Sequence, residues 1–177
     1  MIARMDPIDM EPQRVAFDVR GRPQPAGSKK AFPIRRKAGG GWVATGKVAV
    51  VDDNPKAKPW QAEVAYAGAY AMQRAAGPAR GADFDPAPEL FDGPLGLAVT
   101  FTLRRPKGHF GTGRNAWKLK PSALPWPMVK PDCTKLLRAV EDALTGVVWR
   151  DDAQVVEQLV VKRYGEPEGA HVEVWKL

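Results

Sequence analysis

The 177-residue chain has one cysteine, Cys133, and two histidines, His109 and His171. An internal disulfide framework is excluded, and so is a Cys/His zinc finger, which needs more such ligands than the chain holds. A lone thiol of this kind predicts a reducing, intracellular compartment. Long apolar runs are lacking as well. The longest, Val64 to Met72, falls far short of the ~20 residues that span a bilayer. The opening residues carry acids and prolines rather than the apolar centre of a secretory leader, so a cytoplasmic protein with no membrane partner is expected.

Acid is missing from two whole stretches. Between Val19 and Val51 there is no Asp or Glu, whereas Arg20, Arg22, Lys29, Lys30, Arg35, Arg36, Lys37 and Lys47 are all basic. From Gly93 to Pro131 the same holds, with Arg104, Arg105, Lys107, Arg114, Lys118, Lys120 and Lys130. The whole chain carries a formal charge of +7, and its segregation favours a polyanionic partner, nucleic acid before anionic membrane. Solubilising loops are the plainer explanation of the same charges. Hydrophobic residues at 44% and charged residues at 27% describe a folded chain with a core of its own, not a disordered one. A flexible tail over residues 1–13 and one domain over residues 14–177 are expected.

Alternation of Val15, Phe17 and Val19 predicts a strand from Arg14 to Arg20. Gly21 to Ser28 is punctuated by Pro23 and Pro25 and reads as a loop. Its Gly-Ser-Lys order is not the Gly-Lys-Ser of a phosphate loop, and that motif is rejected. Strands follow at Ala31 to Arg36 and Trp42 to Val51, around the Gly39-Gly40-Gly41 turn. Asn54-Pro55 opens a helix running to about Ala76, with Trp60, Val64, Tyr66, Ala67, Tyr70 and Ala71 able to pack. After a loop from Gly77 to Gly93, Leu95 to Leu103 is a strand, and Arg104 to Pro131 is a long basic loop. Cys133 to Leu144 is a helix, Val147 to Trp149 a brief strand, and Val155 to Tyr164 and His171 to Leu177 closing strands. Helices set between strands in this order predict an α+β domain on a mixed or antiparallel sheet.

Asp132 stands where a helix N-cap is expected, behind Pro131. On a helical wheel, Cys133, Leu136, Leu137, Val140, Ala143 and Leu144 share an arc of about 120° and form the buried stripe. Cys133 therefore reads as a small core residue with no histidine partner. Lys135, Arg138 and Asp142 share the opposite side, with Arg138 and Asp142 at pairing distance. On spacing alone this is an ordinary solvated face. The adjacent acids Asp151 and Asp152 lie between two strands and read either as turn residues or as carboxylates converging on Asp132. Convergent carboxylates in a basic surround are what a Mg²⁺-dependent phosphodiesterase requires.

Lys130-Pro131-Asp132, then Asp142-Ala143-Leu144-Thr145-Gly146, then Trp149-x-Asp151-Asp152-Ala153-Gln154-Val155 resembles the signature of RusA-type Holliday-junction resolvases, many of them encoded by phages and prophages. Gly21-x-Pro23-x-Pro25-x-Gly27-Ser28-Lys29 is similar to the phage members. The resemblance implies a RusA-like α+β fold and a small Mg²⁺-dependent homodimeric endonuclease that cuts four-way DNA junctions by paired nicks. It implies Asp132, Asp152 and Asp151 as metal-binding and catalytic residues, with Arg138 in place of the family's lysine. Thr134 and Lys135 stand where the family has Asp and Asn. A site short of one carboxylate would demand more Mg²⁺ or favour Mn²⁺. Lys29, Lys30, Arg35, Arg36, Arg105, Lys107, Lys130 and Lys135 would hold the DNA backbone. His109 is a possible DNA contact, and Trp117 and Trp126 either stack on exposed bases or anchor the loop or a dimer interface. No small-molecule cofactor is expected. Two other functions fit the same residues: a non-catalytic junction-binding protein with a degenerate metal site, and a basic module for single-stranded nucleic acid.

Overall fold

A computed structural model describes residues 13–77 and 88–177. The elements run β1 (Arg14–Arg20), β2 (Lys29–Ala38), β3 (Gly41–Asp52), α1 (Ala57–Ala76), β4 (Leu95–Leu103), α2 (Cys133–Leu144), β5 (Val155–Tyr164) and β6 (Gly169–Lys176). Four strands form one sheet in the order β1-β6-β4-β5. β4 and β5 are parallel, while β1–β6 and β4–β6 are antiparallel. The expected α+β fold with a mixed sheet is the one found.

Alternation decides which side of this sheet is covered. Val15, Phe17 and Val19 of β1 face the same side as Leu95, Leu97, Val99 and Phe101 of β4 and Val172 and Val174 of β6, and all are buried. Helices α1 and α2 lie over that side and contribute Trp60, Val64, Met72, Leu136, Leu137, Val140 and Leu144 to the same core. Gly68 lets the two helices approach. A Cβ there would stand 2.7 Å from Leu144 Cδ2, inside van der Waals contact. The other side of the sheet carries charge instead. His171 lies between Asp18 at 2.8 Å and Glu173 at 3.1 Å, and Glu173 also meets Arg14.

β2 and β3 form a separate two-stranded ribbon. Its register shifts between Pro33 and Arg35, and Phe32, Ile34, Trp42, Val48 and Val50 are exposed. Alternation there marks a strand without marking a buried face. Tyr66 and Tyr70 of α1, expected to pack, are 73% and 55% exposed. The face that packs is Trp60, Val64, Gly68 and Met72, a narrower stripe made possible by the glycine. The predicted strand at Val147 to Trp149 is reduced to single bridges from Trp149 to Phe91 and Thr145. The long basic loop contains two short 3₁₀ turns, Lys107–His109 and Gly113–Asn115, and a bridge between Phe110 and Leu119. The expected tail falls on residues outside those described, apart from Gln13, whose carbonyl accepts from Lys176 N–H. Most of the loop expected between Gly77 and Gly93 also lies outside them.

Trp149 is fully buried, and its Nε1–H donates to Thr145 Oγ1 at 3.2 Å. Trp149→Ala should cost roughly 3–5 kcal/mol by urea denaturation, the range for deleting a core aromatic. A loss below about 1 kcal/mol would show that this corner is not part of the cooperative core.

Candidate active site and nucleic-acid interface

Pro131 and Asp132 set the start of α2. Asp132 has the extended backbone of an N-cap (φ −75°, ψ 149°), yet its carboxylate makes no capping hydrogen bond. The expected cap is thus met by the backbone alone, and the exposed carboxylate is left for other work. Behind it, Lys162 of β5 donates from Nζ to the carbonyls of Val129 at 3.0 Å and Pro131 at 2.8 Å. In front of it sits the proline-rich loop. Ala26 N–H donates to the Lys135 carbonyl at 2.8 Å, Asn54 Nδ2 donates to the Pro25 carbonyl at 2.8 Å, and Ser28 N–H donates to Asp53 Oδ1 at 2.6 Å. These bonds close a cleft of about 400 Å³ lined by Arg22, Pro23, Pro25, Lys56, Lys130, Asp132 and Lys135. Lys135 Nζ lies 3.4 Å from Ser28 Oγ.

The two adjacent acids are not equivalent. Asp151 accepts from Ala153 N–H at 2.9 Å, while Gln154 Oε1 accepts from the backbone of Arg150 and Asp151. Gln154 Nε2 in turn donates to the carbonyls of Phe91 and Gly93, both at 3.1 Å. Asp151 therefore caps a 3₁₀ turn, Asp152–Gln154, as the turn-residue alternative had it. Asp152 is exposed and acts on a residue that the motif did not single out, Glu141. Partial burial raises the Glu141 carboxyl above the usual carboxylate range, and the charges of Asp152 and Asp142 push the same way, against Arg138 and a hydrogen bond from Gln158. Gln158 Nε2 reaches Glu141 Oε1 at 2.5 Å. Glu141 shares the border of the buried stripe, and that position was its only signal in the sequence.

Asp132 stands at the head of α2, and Asp152 lies within electrostatic reach of Glu141, further along the same helix. Among the described residues no three His, Cys, Asp or Glu stand together as a metal site. The expected Arg138–Asp142 pair does not form. Asp142 accepts from Gln61 at 3.4 Å, and Arg138 sits near Glu141. Cys133 is half-buried rather than core.

The basic residues divide between two places. Lys29, Lys30, Arg35 and Arg36 lie on the exposed ribbon, where Lys30 approaches Asp53 at 3.7 Å. Arg105 is engaged within the chain. Its guanidinium lies 4.4 Å from the centre of the Tyr164 ring and donates to the Leu124 carbonyl at 2.7 Å. His109 packs edge-on against the same ring. Lys107 is exposed. Trp117 and Trp126 are 74% and 57% exposed, so within one chain neither anchors the loop by burial. No helix among the described residues is long and apolar enough to cross a membrane.

The described residues thus form a two-layer α+β domain with a carboxylate and several cations at the head of its second helix. Residues 33–175 match the family model of the endodeoxyribonuclease RusA, and the chain belongs to that family. It is also 31% identical over 77 residues to an uncharacterized protein, YqaN, of Bacillus subtilis (strain 168), an alignment covering 44% of this chain and 54% of that protein. The chain thus spans about half the length of that curated relative.

The raised Glu141 carboxyl makes a signed prediction. The folded state holds this proton to higher pH than the unfolded state does, so its contribution to stability falls as pH rises from the ordinary carboxylate range toward the raised value. Glu141→Gln, which keeps a hydrogen-bonding partner for Gln158, should therefore raise Tm relative to wild type more at pH 7 than at pH 4. An equal difference at both pH values would remove the assignment.

Proposed function

We propose that the protein is a Mg²⁺-dependent, structure-selective DNA endonuclease that resolves Holliday junctions or related branched DNA by paired nicks, acting as a homodimer. The observation that carries this reading is the Asp132 carboxylate, without an ion pair among the described residues, in a cleft of cations within a member of the RusA family. Mg²⁺ commonly takes one or two carboxylates and completes its shell with water and substrate phosphates. Asp132 fits such an ion held jointly with DNA, with the Thr134 hydroxyl two residues on as a neutral neighbour; among the described residues there is no closed cage of three carboxylates. When bound, the ion neutralises phosphate charge and acidifies the attacking water.

The chain's own residues supply the rest. Lys130 and Lys135 hold the phosphate against Asp132. Arg138, one turn further along α2, offers a fixed positive charge where negative charge builds on the phosphate. Asp152 is the second carboxylate, and Asp151 holds its turn. Lys29, Lys30, Arg35, Arg36 and Lys107 bind the backbone of the arms without reading sequence, while Arg105 fixes the loop that carries Lys107. A four-way junction has approximate two-fold symmetry, and one chain offers one Asp132, so symmetric nicks need two chains.

Thr134, standing where the family has a carboxylate, favours a second reading, a junction-binding protein that has lost metal competence at that position. A synthetic four-way junction with and without Mg²⁺ separates the two. Cleavage should require Mg²⁺ or Mn²⁺ and disappear in Asp132→Asn and in Asp152→Asn, with junction binding retained. Binding without cleavage at any concentration of either ion supports the second reading.

The Thr134 departure has its own test. Thr134→Asp adds an anionic ligand beside Asp132 and should lower the Mg²⁺ concentration for half-maximal cleavage, about tenfold if the added carboxylate contributes the ~1.4 kcal/mol of a modest charge interaction. An unchanged requirement would mean that position 134 is not a vacant ligand position.

A further inference from the structure

The cleft at the head of α2 holds more positive charge than its motif accounts for. Alongside Lys130 and Lys135 it is lined by Arg22, from the proline-rich loop, and Lys56, from the approach to α1. Among the described residues none of these four cations forms an ion pair, and neither does Asp132. Four unpaired cations against one carboxylate repel one another, so something other than mutual attraction holds them together. The bonds from Ala26 to Lys135 and from Asn54 to Pro25 do so, by fixing the backbone of all three segments.

The remaining walls narrow the ligand. Pro23, Pro25 and Pro131 have rings and no backbone N–H and offer flat apolar surface, and Gln24 turns its amide back to the Arg22 carbonyl at 3.3 Å. Charge combined with smooth apolar walls fits a sugar–phosphate backbone. We infer that this cleft seats the DNA phosphate next to the one being cut, and that Arg22 and Lys56 are its positioning residues. The inference rests on the reading of Asp132 as the cutting site. Arg22 brings a planar fork able to hold two phosphate oxygens at once, and Lys56 a point charge.

The test uses the full chain and a fluorescein-labelled four-way junction, with Kd followed against salt in the absence of divalent ions. Each phosphate contact removed lowers the log–log slope by about 0.9. Arg22→Gln/Lys56→Gln leaves that one phosphate unneutralised in each chain and should therefore lose about 0.9 units of slope per chain. With Mg²⁺ present and the junction saturating, its cuts should spread over neighbouring bonds where wild type cuts at fixed ones. The charge-preserving pair Arg22→Lys/Lys56→Arg should recover the slope, which a merely structural role would not require. A double variant with wild-type slope and wild-type cutting positions overturns the inference, as does a charge-preserving pair as impaired as the glutamine pair. Because the slope is read without cleavage, a chain that never cuts but shows the slope change keeps the seat and loses the nuclease reading.

Discussion

The hydrogen bond from Ala26 N–H to the Lys135 carbonyl, 2.8 Å long, is the constraint on which the functional end of the molecule depends. It ties a loop that follows the first strand to the first turn of a helix more than a hundred residues later. Without it, Arg22 and the two prolines would have no fixed relation to Asp132. The helix in turn is held from below by the sheet through Leu136, Leu137, Val140 and Leu144, and from behind by Lys162. The core thus aims one end of α2 outward, and the loop closes over that end.

Charge follows the same division. The covered face of the sheet is apolar, and the open face carries the Asp18–His171–Glu173–Arg14 chain, where acids and bases neutralise one another. The ribbon and the α2 cleft are different, because among the described residues their cations are largely left without an ion pair. Local repulsion of this kind is tolerated in an exposed position and relieved by a polyanion, which makes the two regions the natural footprint for a DNA backbone. The ribbon's exposed Phe32, Ile34 and Trp42 add apolar surface to that footprint.

Period-two alternation and the helical stripe of α2 were legible because burial on one side is what produces them, and β1, β4 and α2 have the boundaries read from the sequence. The ribbon strands were legible as strands only. Nothing in Phe32 or Trp42 signals that the alternating face lies open, since burial is decided by what folds over it. Tyr66 and Tyr70 were misplaced for the same reason, the packing face being set by Gly68 against Leu144. At the site, Asp132 and the cations beside it stood out in the sequence, but the division of labour between Asp151 and Asp152 depends on Gln154, whose side chain reaches back to Phe91 and Gly93. Glu141 was hidden by its place at the edge of an apolar stripe. Arg22 and Lys56 could not be joined to the site before the loop bonds were known.

The central claim is that the reactive centre lies at the head of α2, at Asp132. Replacing Mg²⁺ by Fe²⁺ in the junction complex and generating hydroxyl radicals cuts the polypeptide where the ion binds. The account predicts fragments ending near residues 130–135 and 22–26, lost in Asp132→Asn. Fragments confined to residues 150–154, or a pattern unchanged in Asp132→Asn, would contradict it.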